Sequence, residues 1–236
     1  MERFEKLFIE SPIPIFIIDY SEIQKFINNL PSGEKGNLST YLEKHPQIVT
    51  DCLNLLKVPD VNTAFLDLME AKDRDELIVN SKKVVSGEIL AVFKKFLVSI
   101  AEGTTGLKQE AVIYTLKDKL KHVIVELRNS DTTSFSSAVF IIDITENVKA
   151  RKELRKQDEQ IKSLFHTMGE GLIFIEPSGQ IVLANPMAES ILGLSKSEIE
   201  LRNYINPEWK ILRLDGSSMP PEEMAGPRAM KTKKPV

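Results

Sequence analysis

The sequence of 236 residues predicts an α+β protein in which an antiparallel sheet is flanked by helices, followed by a helical linker and the first half of a second, similar domain. Three β-rich runs in series, at 110–116, 122–128 and 138–144, predict adjacent antiparallel strands. A charged segment without Gly or Pro, at 146–168, predicts a continuous helix. A strand pattern begins again after Gly169, which indicates a second domain.

The first half of the chain alternates helical and strand patterns. β-branched and aromatic residues at 13–19 predict a strand, which follows a short amphipathic helix that Ser11-Pro12 ends. Ser21 is placed to cap the next helix, and Pro59 predicts that the second strand lies at an edge of the sheet. The other predicted elements are helical pieces within 21–55, a second strand at 56–61, a helix after Asn62 and a long helix at 87–101.

The second half begins with a hairpin signal. Strand patterns at 171–175 and 180–183 flank Pro177-Ser178-Gly179, which is typical of a tight turn. Asn185 then opens a helix that Gly193 closes. Short helices are expected at 196–201 and near 221–231.

Composition argues against several classes of protein. Lys and Arg total 31 and Asp and Glu total 34, so the net charge of −3 lacks the basic surplus of a nucleic-acid-binding chain. Cys52 is the one cysteine, which excludes an intrachain disulfide and a thiolate zinc site. No apolar run is long enough to span a bilayer, and the N-terminus lacks a signal-peptide pattern. We therefore expect a cytoplasmic protein that binds neither nucleic acid nor metal.

The segment at 146–168 carries residues at heptad spacing. Its two heptad positions hold Asn147, Leu154, Ile161 and Met168, and Ala150, Gln157 and Leu164. Because Asn147 and Gln157 are polar, a coiled coil and a plain amphipathic connector both fit the pattern. For a coiled coil we expect a parallel homodimer, aided by the leading helix with Phe4, Leu7 and Phe8. Its seam would contain Leu154, Ile161, Leu164 and Met168.

One order of elements occurs twice: two strands, a helix capped by Asn, and a short acidic helix. Asn62 takes the capping place in the first copy and Asn185 in the second. Asn suits this place because its side chain can accept hydrogen bonds from the free N–H groups of a first helical turn. The matching flanks indicate a repeat rather than a coincidence.

Taken together, these motifs resemble PAS domains, the sensory modules of histidine kinases and related signalling proteins. The motifs ending in Asn62 and Asn185 look like the close of the second PAS strand. Asp143-Ile144-Thr145-Glu146 is similar to the signature that closes many PAS domains before a signalling helix. The segment from Trp209 to Glu223 looks like the middle of a common PAS subtype. Each motif alone is weak, and it is their order that makes the resemblance specific.

Two departures from the PAS pattern stand out. The first copy carries a helical insertion at roughly 21–55, as a variant class of PAS domains does. The second copy stops before its last three strands, and a two-stranded ribbon is marginal on its own. We therefore expect a fragment, a degraded gene product, or a domain that another chain completes.

The resemblance implies a PAS-like domain at 1–145, a signalling linker at 146–168 and a partial second PAS-like domain at 169–236. It implies a module that detects a stimulus or ligand and relays it through the linker, as the N-terminal input part of a sensor histidine kinase or related regulator. Asp143 and Thr145 are implied to couple the first domain to the linker. The alternative is a non-catalytic regulator that uses the PAS sheet to dimerise or to dock a partner.

We expect no enzymatic activity, because the sequence contains no catalytic constellation. His166 is followed by Thr167-Met168-Gly169 rather than by the Glu and Pro of a kinase phosphoacceptor box, and no Gly-rich ATP loop is present. Cys52 lies beside Leu53 and Leu55, which favours a buried core residue over a nucleophile.

The resemblance also bears on cofactors, whose identity the sequence leaves open. The reactive Cys of flavin-binding PAS domains and the axial His of haem-binding relatives are missing, so we expect neither haem nor a covalent flavin adduct. A noncovalent ligand between sheet and helices is one alternative, and a dry, close-packed core is the favoured one. The residues expected to line a cavity are Phe65, Phe93, Phe96, Val112, Val125 and Phe140.

Overall fold

The computed structural model describes residues 2–85, 87–104, 106–129, 135–203 and 211–235. The chain divides into two compact units, Met1–Arg151 and Lys152–Val236. A helix at Thr145–Thr167 contains this division and matches the helix predicted at 146–168. Within the described ranges, no helix combines the length and the apolarity that crossing a bilayer requires.

The first unit contains a five-stranded antiparallel sheet, so the predicted α+β class is confirmed. Its strands are β1 (Ile15–Asp19), β2 (Lys57–Val61), β3 (Gly106–Tyr114), β4 (Leu120–Asn129) and β5 (Ser136–Asp143). They lie in the order β2-β1-β5-β4-β3, in which the last three strands form the predicted meander. β2 is an edge strand, as Pro59 predicts, since proline has no N–H to donate. Residues 130–134, between β4 and β5, lie outside the described residues.

The helices that begin in the first unit are α1 (Glu2–Ile9), α2 (Ser21–Asn28), α3 (Ser32–Lys35), α4 (Leu38–Lys44), α5 (Gln47–Leu55), α6 (Thr63–Met69), α7 (Arg74–Val79), α8 (Ser81–Val84), α9 (Gly87–Glu102) and α10 (Thr145–Thr167), which continues into the second unit. Helices α2, α4, α5, α6, α7 and α9 contribute buried residues to one core with the sheet. α9 has apolar residues at intervals of three and four, and it buries Phe93, Phe96 and Leu97. α2, α4 and α5 pack against α9. The predicted insertion therefore belongs to this core.

The start of α2 corrects the prediction that Ser21 caps this helix. Ser21 is its first residue, and the carboxylate Oδ1 of Asp19 accepts from the Ser21 N–H at 2.9 Å. This bond lowers the pKa of Asp19. The last residue of β1 thus supplies the hydrogen bond, because an Asx side chain reaches an N–H two residues ahead.

The second unit contains the predicted hairpin as a two-stranded ribbon. Its elements are β6 (Ile173–Ile175), β7 (Ile181–Ala184), α11 (Pro186–Leu192), α12 (Lys196–Glu200), a 3-10 turn (Pro221–Glu223) and α13 (Ala225–Thr232). Its buried core contains Ile181, Ala184, Ala188 and Ile199. Trp209, which contributes to the PAS resemblance, lies outside the described residues.

Candidate functional site

The inner face of the first unit's sheet borders a cavity of about 930 Å³. Strands β1, β3, β4 and β5 line one side, and β2 with helices α5 to α9 line the rest. The volume lies within the usual range of small-molecule sites, about 300–1,000 Å³. The pocket lies between the sheet and the helices, where the sequence left a noncovalent ligand and a close-packed core as alternatives.

The lining is apolar inside and largely polar at the rim. Every buried lining residue is apolar: Ile18, Met69, Leu77, Val92, Phe93, Phe96, Ile113, Val125, Leu127, Val139 and Ile141. The exposed lining residues, which form the rim, are Thr50, Asn54, Lys57, Pro59, Arg74, Ile78 and Ser81. In the part of the chain that the structure describes, no buried side-chain nitrogen or oxygen lacks a hydrogen-bond partner. The interior therefore presents no unsatisfied side-chain group to a ligand.

The six residues expected to line the cavity separate into two groups. Phe65, Phe93, Phe96 and Val125 line it. Val112 and Phe140 do not, because alternate residues of a strand face opposite sides of the sheet. Their buried neighbours are on the inner face instead: Ala111 and Ile113 beside Val112, and Val139 and Ile141 beside Phe140. Two exposed cations of the lining, Lys57 and Arg74, belong to no sequence motif and were not predicted.

Asn62 is fully buried and joins three segments of the first unit. Its Oδ1 accepts from the N–H groups of Ile15 and Phe65, each at 2.9 Å, and its Nδ2 donates to the carbonyl of Ile13 at 2.7 Å. The bond to Phe65 caps α6, as the sequence predicts. The other two bonds hold the start of β1 against the connection between β2 and α6.

Asn185 makes the same set of contacts in the second unit. Its Oδ1 accepts from Leu172 N–H at 2.8 Å and from Ala188 N–H at 2.9 Å, and its Nδ2 donates to the Glu170 carbonyl at 2.8 Å. The Asn185 N–H donates to the Leu172 carbonyl at 3.0 Å, as the Asn62 N–H does to Ile15. We call each of these two arrangements an asparagine bracket.

The elements after the two brackets also correspond. α6 and α11 both end on a residue in the left-handed conformation, Glu70 and Gly193. The next helices, α7 and α12, are both capped by a side chain, that of Asp73 and that of Ser195. The repeat found in the sequence is therefore a repeat in local structure.

Strand β5 passes into α10 at Asp143 and Thr145. The Asp143 carboxylate accepts from the Thr145 N–H at 2.8 Å and from the Lys121 ammonium at 2.9 Å. Desolvation acts to raise the pKa of Asp143, but the hydrogen bonds from Lys121 and Thr145 together outweigh it and lower the pKa. The buried Thr145 hydroxyl accepts from the His122 N–H at 3.0 Å. The start of α10 is thus fastened to β4, the neighbour of β5.

Cys52, His166 and the residues of the expected dimer seam have simple surroundings. Cys52 is buried in the core, and desolvation raises the pKa of its thiol to about 11, so the thiol is protonated at neutral pH. The exposed ring of His166 has its Nδ1 2.7 Å from the Lys162 carbonyl of the same helix. The residues of the expected dimer seam are exposed: Leu154, Ile161 and Leu164 on α10, and Met168 directly after it.

Among solved structures, an RNA-binding Light-Oxygen-Voltage receptor is 12% identical with a TM-score of 0.42, and the match covers 71% of this chain and 38% of that one. This chain thus spans well under half of that receptor. A PAS domain from a two-component sensor histidine kinase is 11% identical (TM-score 0.37; 60% and 94% covered). The PAS domain of an HTR-like protein from Haloarcula marismortui is 13% identical (TM-score 0.36; 61% and 90% covered).

A family model places part of the chain more specifically. The model described as the PAS fold matches residues 159–211, a range that includes the hairpin and the bracket of Asn185. The search of curated proteins found no significant match. The first unit has an α+β fold with an antiparallel sheet flanked by helices, and a PAS domain is recognised in this chain at residues 159–211.

Proposed function

We propose that this chain is a non-catalytic sensory module of two successive PAS units, which detects a small molecule in its first unit and relays that state through α10. The recognised PAS domain is a sensory type of domain and supports a general role in signalling. The finer proposal is that the module is the input part of a sensor histidine kinase or a related regulator. The continuity of β5 supports the relay, because Val139 and Ile141 line the cavity and the same strand leads into α10.

The asparagine brackets support the reading of two PAS units. Asn185 lies within the residues that the PAS model matches. Asn62 repeats its hydrogen bonds, and the helices that follow have corresponding caps and ends. The same arrangement of hydrogen bonds in both units favours two PAS units in tandem.

The relay would act through the junction of β5 and α10. A molecule in the cavity contacts the inner side chains of β5, and a shift of this strand displaces Asp143 relative to Lys121 on β4. The bonds of Thr145 to β4 then form or break together with those of Asp143, which gives the start of α10 two discrete arrangements.

Replacing both Asp143 and Thr145 with alanine is expected to uncouple α10 from the sheet. The double variant removes the carboxylate that binds the Thr145 N–H and the hydroxyl that binds the His122 N–H. Limited proteolysis of α10 and the output of a chimeric kinase that carries this chain measure the effect. Glu146→Ala is the matched control, because Glu146 is exposed in the same helical turn and pairs with Lys149. Unchanged cleavage and unchanged kinase output in the double variant would count against the relay.

Homodimerisation through α10 belongs to the same proposal. Leu154 and Ile161 are 67% and 66% exposed, which leaves an apolar row at heptad spacing available to a second copy. Changing both residues to lysine is expected to convert a dimer into a monomer in sedimentation velocity, since the seam cannot bury unpaired charges. A wild-type chain that sediments as a monomer at micromolar concentration would remove this part of the proposal.

The second candidate is a contact regulator that docks through the sheet. The outer face favours it, because Ile124 lies opposite Ile142 and Phe140 lies opposite Ile15, which places apolar side chains side by side. Ile142 is 41% exposed. Under this alternative, Ile142→Glu rather than the two lysine substitutions abolishes the dimer in the same sedimentation experiment.

A further inference from the structure

We propose that residues 72–85, which contain α7 and α8, form a gate that opens and closes the cavity, and that the bond from Arg74 to the Pro59 carbonyl is its latch. The inference rests on the proposed function, because the gate gives a molecule access to the cavity of the first unit. The gate itself is a property of the fold and is measurable without a ligand.

The gate crosses the cavity from one edge of the sheet to the other. α7 contacts β2 and α8 contacts β3, and these are the two edge strands. A displacement of the gate therefore removes one wall of the cavity and opens the interior to solvent. The gate residues that line the cavity are Arg74, Leu77, Ile78, Ser81, Val84 and Val85.

The chain is fixed on either side of the gate. Before it, Glu70 has a left-handed backbone with a φ of 55°, and its carboxylate accepts from the Thr115 hydroxyl at 2.7 Å and the Lys119 ammonium at 2.6 Å. After it, the Glu88 carboxylate of α9 accepts from the Val112 N–H of β3 at 2.7 Å. Two fixed ends define the segment between them as a unit that can move, as in a hinged lid.

Between these ends the gate contributes little to the core. Leu77 is the one buried residue among its described side chains, whereas Ile78 and Val79 are exposed. Its first helix is stabilised from within, because the Asp73 carboxylate accepts from the Glu76 N–H at 2.8 Å and caps α7. A segment with few buried apolar contacts opens locally at a lower free energy than the strands of a core.

The latch is the bond between Arg74 and Pro59. The Arg74 Nη1 donates to the Pro59 carbonyl of β2 at 2.5 Å, while its Nη2 lies 3.3 Å from the Asp75 carboxylate inside the gate. Among the described residues, no other hydrogen bond joins residues 72–85 to the rest of the chain. Breaking this bond therefore leaves only apolar contacts between the gate and the sheet.

Hydrogen exchange of the full chain tests the latch, and its result does not depend on whether the proposed function is right. In the wild type, the amides of 74–85 are expected to exchange faster than those of β4 and β5. Arg74→Gln should speed the exchange of 74–85 about fivefold, as the loss of one exposed charged hydrogen bond allows, and leave β4 and β5 unchanged. Lys83→Gln is the matched control, because Lys83 is an exposed cation of α8 whose side chain has no hydrogen bond or ion pair with a described residue.

A thiol placed inside the cavity tests whether this motion opens it. Val125 of β4 lines the cavity and is 6% exposed. In a Cys52→Ala background, the thiol introduced by Val125→Cys should react with a disulfide reagent about fivefold faster when Arg74→Gln is added, and no faster with Lys83→Gln. Ile113→Cys, also in the lining, takes its place if that variant does not fold.

Every other outcome overturns the inference. Exchange in 74–85 that is as slow as in β4 and β5, or that Arg74→Gln leaves unchanged, means that the segment is not a latched gate. Faster exchange throughout the first unit means that the Arg74 bond supports the whole fold rather than one segment. Faster exchange without faster thiol labelling means that the segment opens without exposing the cavity.

Discussion

Replacing Asn62 with alanine is expected to lower the free energy of unfolding of the first unit by about 2–4 kcal/mol. The change removes the side-chain acceptor of the Ile15 N–H and the side-chain donor to the Ile13 carbonyl, and it leaves the Phe65 N–H with only its 3.2 Å bond to the backbone carbonyl of residue 62. Because the side chain is fully buried, water does not replace these bonds without a rearrangement of the chain. Urea denaturation followed by circular dichroism measures the loss.

Two variants separate the bracket from a general effect of losing an asparagine. Asn37 precedes α4 without a side-chain cap bond, so Asn37→Ala should cost less than about 0.5 kcal/mol. Asn62→Asp keeps an accepting oxygen but replaces the donating amide with a buried charge, and should be no more stable than Asn62→Ala. If Asn62→Ala is as mild as Asn37→Ala, the bracket does not hold β1 in place.

Replacing Phe96 with alanine is expected to destabilise the first unit by about 3–5 kcal/mol. Phe96 is 3% exposed, and its ring centre lies 5.5 Å from that of Tyr20 and 6.0 Å from that of Phe93. The ring also borders the cavity, so its removal enlarges an existing space that the neighbours cannot easily close. Thermal and urea denaturation give the change in stability.

Phe140→Ala is the matched control for this prediction. Phe140 was expected beside Phe96 in the cavity lining, but it is half-buried on the opposite face of the sheet. Its removal should cost only about 1–2 kcal/mol, because less area leaves water on folding and no internal void forms. Equal losses for the two variants would mean that the assignment of sheet faces is wrong.

The sheet could be predicted because strand signals are local. Alternating and β-branched residues mark β3, β4 and β5, and short connections make consecutive strands neighbours. Strand signals alone do not show which face of a strand points inward. Val112 and Ile113 are similar residues, and only the packing of α9 on β3 determines that Ile113 faces the core.

The candidate site was predictable only in part, for a related reason. The helix-capping bond of Asn62 spans three residues and follows from local geometry. Its bonds to Ile13 and Ile15 span 49 and 47 residues, a distance over which sequence patterns give no register. The cavity likewise depends on how β2 and α7 approach each other. No sequence pattern therefore indicated that Lys57 and Arg74 both belong to its lining.

The two asparagine brackets close loops of very different length. Asn62 reaches back 47 residues to Ile15, whereas Asn185 reaches back 13 residues to Leu172. The entropy lost on closing a loop grows only with the logarithm of its length, so the longer loop costs about 1 kcal/mol more. Loop closure therefore places little constraint on the length of residues 21–55, and the side chains that α2, α4 and α5 bury in the core are what constrain it.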